Sequence, residues 1–100
     1  LRGRWTHLYK DYLPSLAKAQ DPSQKHWPVQ LDHCFARIIL DNAIGVGKPW
    51  NEVLKQPATR NMDKNQLERV IHLAEQIAAG EADLNILNER SLQVRGKKRK

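Results

Sequence analysis

The sequence predicts an all-α fold: one compact single domain of four or five short helices with a basic C-terminal tail. Three observations lead there. Every strong apolar period recurs near 3.6 residues, and no stretch combines strand-like alternation with hairpin turn signals. A length of 100 residues with 40% apolar content suits one small core and leaves too little chain for a second. Residues 1–94 are expected to form the helical domain and residues 95–100 the tail.

Thr6 is the first cap candidate, because Leu8, Tyr9, Tyr12, Leu13 and Leu16 follow it at helical spacing. Pro14 lacks the N–H that would reach the carbonyl four residues back and disfavours helical geometry at Leu13, so a kink or two short helices are expected. Asp21, Pro22, Ser23 and Gln24 are turn chemistry. Pro28 suits a first helical position, where its missing N–H would have had no partner. Leu31, Cys34, Phe35, Ile38, Ile39 and Ala43 then make a wide apolar face, and Gln30, His33, Arg37 and Asp41 share the opposite side. This is the expected central helix.

Gly45, Val46 and Gly47 end that helix, and Lys48, Pro49 and Trp50 restart the chain into a short amphipathic turn with Val53 and Leu54, which Pro57 stops. Asp63 carries the best start signal in the chain. Gln66, three residues on, completes a capping box, and Met62 is placed to staple onto Leu67. The stripe of Leu67, Val70, Ile71, Ala74, Ile77 and Ala78 keeps a 3.6-residue period until Gly80 closes it. Leu84 and Leu87, with Ser91 or Leu92, suggest one more helix, although residues 91–95 alternate as an extended segment also would.

The formal charge of +6 sits at the ends of the chain. Arg95, Lys97, Lys98, Arg99 and Lys100 place five cations within six residues, and Arg2 and Arg4 add two near the start. Residues 5–94 hold ten Lys and Arg against eleven Asp and Glu, a net of −1. A basic arm is therefore expected rather than a basic groove, one that grips phosphate or acidic protein and reads no sequence. No apolar run approaches the roughly 20 residues of a membrane span, and the basic start leads into Trp5, Thr6 and His7 instead of an apolar signal core. A soluble, non-secreted chain follows, and its opening on Leu1 without a methionine fits a fragment of a longer protein. Cys34 has no partner in the chain; a lone thiol in an apolar stretch behaves as a small buried hydrophobe and suits a reducing intracellular compartment.

Motifs with chemistry are weak. Gly45, Val46, Gly47 and Lys48 resemble a phosphate loop only faintly, since Asn42 and Pro49 stand where its first glycine and its Ser or Thr belong. Glu68, His72 and Glu75 share a helical face, which fits a solvated surface better than a metal site. A helix-turn-helix at Gly80 would bring Glu81, Asp83 and Glu89 toward phosphate. Trp5, Trp27 and Trp50 each adjoin a predicted helix start, which favours core or staple roles over stacking on bases or anchoring a partner peptide. No catalytic, cofactor-binding or metal-ligating residue is assigned.

These features point first to a small non-enzymatic helical binding module whose tail contacts nucleic-acid backbone nonspecifically through Arg95, Lys97, Lys98, Arg99 and Lys100, with Arg2 and Arg4. The alternative is a protein–protein adaptor that receives a partner segment between helices, its tail serving as a solubilising end or, in a eukaryote, a nuclear-import signal. A small enzyme using His33 and Arg37 on the polar side of the central helix is the third reading.

Overall fold

The computed structural model describes residues 2–19, 27–29, 31–45 and 47–96, and all regular structure within them is helical. The turn expected at 21–24 lies outside these residues, as do Gln30 and Val46. The elements are α1 (Arg2–His7), a π-helical turn (Leu8–Tyr12), α2 (Leu13–Ala19), α3 (Asp32–Ala43), a 3₁₀ turn (Trp50–Glu52), α4 (Ala58–Asn61), α5 (Lys64–Ala78) and α6 (Leu84–Val94). The all-α single domain expected from the periodicity is thus observed.

The first three elements are contiguous. Thr6 lies inside α1 rather than capping it, because Arg2 ties the beginning of α1 to the carbonyls at the end of α4 and Trp5 is fully buried. Pro14 does not expel Leu13 from helical geometry, since Leu13 has φ −62 and ψ −44. The π turn absorbs the proline: Leu13 N–H reaches back five residues to the Leu8 carbonyl. This widening makes room for a ring that would crowd an ordinary α-turn.

Helix α3 is the central element, packed against α6, α5, α2 and the π turn. It begins at Asp32, not at Pro28, and Leu31 at its N-cap is extended. The Trp27 ring meets Phe35 edge-on at 5.7 Å. A helix continuous from Pro28 would separate these positions by about 12 Å along its axis, so the segment before α3 turns back over it. Phe35, Ile38 and Ile39 are fully buried, as the stripe implies. Leu31 is 58% exposed because it precedes the helix, whereas Asp41, expected on a solvated side, is 3% exposed. Cys34 is half-buried.

Helix α5 follows its local code. Gln66 N–H donates to Asp63 Oδ1 at 2.8 Å and Asp63 N–H to Gln66 Oε1 at 3.0 Å, while Met62 and Leu67 are both buried. Gly80 takes φ +77, and Glu81 and Ala82 donate back to the Gln76 carbonyl. Helix α6 runs through Val94 with Asp83 capping it, so residues 91–94 are helical and not extended.

Gly45 is needed for space. A Cβ there would fall on the Lys48 carbonyl oxygen and within 2.7 Å of that of Asp41, both backbone atoms. Gly45→Ala is expected to destabilise the domain by about 1–3 kcal/mol through overpacking. Equilibrium urea unfolding checks this, and a midpoint equal to that of the parent would contradict the close approach.

Candidate nucleic-acid interface

Of the seven cations expected to meet phosphate, the three within the described residues are all engaged by the protein itself. Arg2 donates through Nε to the Thr59 carbonyl at 3.0 Å and through Nη2 to those of Arg60 and Met62 at 3.2 and 2.8 Å. It thereby satisfies carbonyls that the short α4 leaves open at its C-terminal end. Arg4 pairs with Glu75 of α5 on the surface. Arg95 donates from Nε to Asp41 Oδ2 at 2.7 Å and from Nη2 to Oδ1 at 2.9 Å. Arg2 and Arg4 remain exposed while so bonded, whereas Arg95 is half-buried. Lys97, Lys98, Arg99 and Lys100 lie outside the described residues.

Asp41 is the hub that periodicity alone misplaced. Besides Arg95, its Oδ2 accepts from Ser91 Oγ at 2.6 Å and its Oδ1 from Trp50 N–H at 2.9 Å. Ser91 is fully buried. One carboxylate therefore joins α3, the C-terminal end of α6 and the start of the 3₁₀ turn, and its lone pairs are met by donors from all three. The signal in the sequence is Leu40, an apolar residue three positions after Arg37 on the nominally polar side. It marks that side of α3 as covered too, by α6.

An aromatic groove of ≈ 570 Å³ opens between α1 with its π turn and residues 50–59. Trp5, Leu40 and Ala58, all buried, form its floor; Tyr9 and Trp50 are half-buried, and Gln56 is exposed. The aromatic groups are held in place. Trp5 Nε1–H donates to Thr59 Oγ1 at 3.2 Å, and the Tyr9 ring lies 4.7 Å from that of Trp5 at an interplanar angle of 33°. Trp50 is fixed through its backbone N–H by Asp41. Among the described residues no charged side chain lines the groove. A second cleft of ≈ 400 Å³, beside Leu8 and Tyr12, is instead bordered by the Arg4 and Glu75 pair.

The remaining candidates are dispersed. Arg37 Nη2 donates to Asn88 Oδ1 at 2.6 Å, while His33 is exposed with Nδ1 3.7 Å from Asp32 Oδ1. Glu68 and His72 are exposed, and no group of three metal-ligating side chains occurs among the described residues. Lys48 N–H closes a turn onto the Gly45 carbonyl, and the segment follows a helix rather than a strand. Of the tryptophans, Trp5 is core, while Trp27 and Trp50 are half-buried and pack against the core. Among the described residues no helix is long and apolar enough to cross a membrane. Compared with protein families, curated proteins and solved structures, the chain matches none.

Proposed function

We propose that the chain is a small helical binding module whose basic C-terminal run, Lys97, Lys98, Arg99 and Lys100, contacts nucleic-acid backbone without reading sequence. The supporting observation is the bonding of Arg95. Held from two atoms by a buried carboxylate, it anchors the chain immediately before the run. Arg2 and Arg4 are likewise occupied, and residues 5–94 are near neutral. The four C-terminal cations are therefore the densest source of phosphate attraction in the sequence, with Arg2 and Arg4 adding to it.

The test compares the full chain with a variant in which all four are glutamine, by anisotropy of labelled DNA and RNA across a salt series. Glutamine replacement is preferable to ending the chain at Val94, because that deletion would also strip Arg95 from Asp41 and confound binding with folding. The parent is expected to bind with Kd on the order of 10⁻⁴–10⁻⁶ M and a log–log salt slope of about −3 to −4 on duplex, near −0.9 per phosphate neutralised. The variant should lose roughly tenfold or more. Equal binding by both proteins would refute the arm. No binding by either would remove the nucleic-acid reading and favour a protein partner, for which the run is an import signal or a solubilising end.

A further inference from the structure

We infer that the second cleft, between α1 with its π turn and the C-terminal end of α5, binds a free α-amino acid with an aromatic side chain. The site is independent of the basic run and of the arm reading above.

The charges on its rim select the ligand. Arg4 and Glu75 both line the cleft and are bonded to each other across it. Their side chains are 60% and 41% exposed. An ion pair so open to water contributes little to folding, and a ligand parts it at small cost. Because the two groups are in direct contact, a ligand must present its own opposite charges equally close together. An α-amino acid does so, with ammonium and carboxylate on one carbon. Its carboxylate meets the Arg4 guanidinium and its ammonium meets Glu75, so one exposed pair is exchanged for two. An amine or a carboxylate alone strands one of the protein's charges. Glu75 also lies in the last turn of α5, and Ala78 and Ala79 at that end border the cleft. The negative end of the helix dipole adds to the pull on the ammonium and fixes which way round the ligand sits.

The rest of the lining suits the side chain. Leu8 is buried and Ala78 half-buried, which gives the cleft an apolar floor. Tyr12 forms a wall and is 41% exposed. Its ring stacks on that of His7, with centroids 6.3 Å apart and planes 20° from parallel. Residues five apart in an α-helix point about 140° away from each other. The π turn, whose bonds span five residues, sets His7 above Tyr12 instead, so the turn that accommodates Pro14 also builds the aromatic wall. Stacking holds the Tyr12 ring in place before a ligand arrives. The volume of ≈ 400 Å³ lies within the range of about 300–1,000 Å³ typical of small-ligand clefts.

The experiment titrates L-phenylalanine, L-phenylalaninamide and N-acetyl-L-phenylalanine into the ¹⁵N-labelled full chain and follows backbone amide shifts. The second probe lacks the carboxylate and the third lacks the ammonium. Phenylalanine should shift amides of residues lining the cleft and saturate with Kd on the order of 1 mM, and each of the other two should bind about five- to tenfold more weakly. The same titrations are made with Arg4→Gln, Arg4→Lys, Glu75→Gln and Tyr12→Leu, each first shown to be folded by circular dichroism. Arg4→Gln should weaken phenylalanine and its N-acetyl form about five- to tenfold and leave the amide form no weaker, Glu75→Gln should do the reverse, and Arg4→Lys should recover most of the loss. Tyr12→Leu should weaken all three about two- to tenfold.

Absence of cleft shifts at tens of millimolar phenylalanine, or shifts confined to other residues, overturns the site. Phenylalaninamide binding as tightly as phenylalanine, with both indifferent to Arg4→Gln, makes the cleft a cation site and overturns the amino-acid assignment; tight binding of the N-acetyl form that is indifferent to Glu75→Gln does the same in favour of an anion. The variant with glutamine at all four C-terminal cations should bind phenylalanine as the parent does, and a loss there would overturn the independence of the site from the run.

Discussion

Asp41→Ala is expected to lower the folding stability of the domain by about 3–5 kcal/mol, the range for removing one partner of a buried charge pair. The Asp41 carboxylate accepts four hydrogen bonds from three groups: the Ser91 hydroxyl, the Arg95 guanidinium twice and the Trp50 amide. Its side chain is 1% exposed and that of Arg95 is 23% exposed. After truncation Arg95 can turn partly to water. Ser91 Oγ cannot, and the Trp50 N–H loses the acceptor that holds the 3₁₀ turn, so two donors pay desolvation without return. Ser91→Ala, which removes one hydrogen bond and leaves the ion pair, should cost only about 1 kcal/mol. Urea unfolding followed by circular dichroism measures both. An Asp41→Ala midpoint no lower than that of Ser91→Ala would show that the clamp does not hold α3, α6 and the turn together.

Trp5→Ala should lose a comparable amount, about 3–5 kcal/mol, as for other buried aromatic truncations. Its ring is fully buried, leans on Tyr9, and bonds Thr59 across the α1 and α4 contact. At about 4–8 °C per kcal/mol for a domain of this size, the melting temperature should fall by roughly 12 °C or more. Trp5→Phe retains most of the volume but leaves Thr59 Oγ1 without its donor, and should cost about 1–2 kcal/mol. Thermal unfolding of the two variants separates packing from the hydrogen bond. A melting temperature of Trp5→Ala within a few degrees of the parent would mean that Trp5 does not seat α1 on the core.

The elements that were legible in the sequence are those whose signals lie within one or two helical turns. In α5, Asp63 and Gln66 are three residues apart, Met62 and Leu67 five, and the stripe from Leu67 to Ile77 repeats along a single helix. No other part of the chain is needed to complete those interactions. The errors arise where a local signal met a distant partner. Thr6 resembles a cap, but Arg2 reaches α4 and the helix starts earlier. Pro28 resembles a first helical residue, but Trp27 packs back on Phe35.

The candidate site divides in the same way. The basic run at 97–100 and the three tryptophans can be read directly from the sequence. That Tyr9, Trp50 and Gln56 border one groove cannot, because residues more than 40 positions apart in the chain meet there. By itself the sequence determined a helical domain, the limits of α5 and a charge surplus confined to the two ends, since composition, periodicity and caps are local properties. Only the tertiary structure decided what Asp41 and Arg95 meet. Periodicity assigns Asp41 and Arg95 to a polar side and a tail but says nothing of what faces them, and it is the packing of α6 along α3 that brings guanidinium, hydroxyl and amide onto one buried carboxylate.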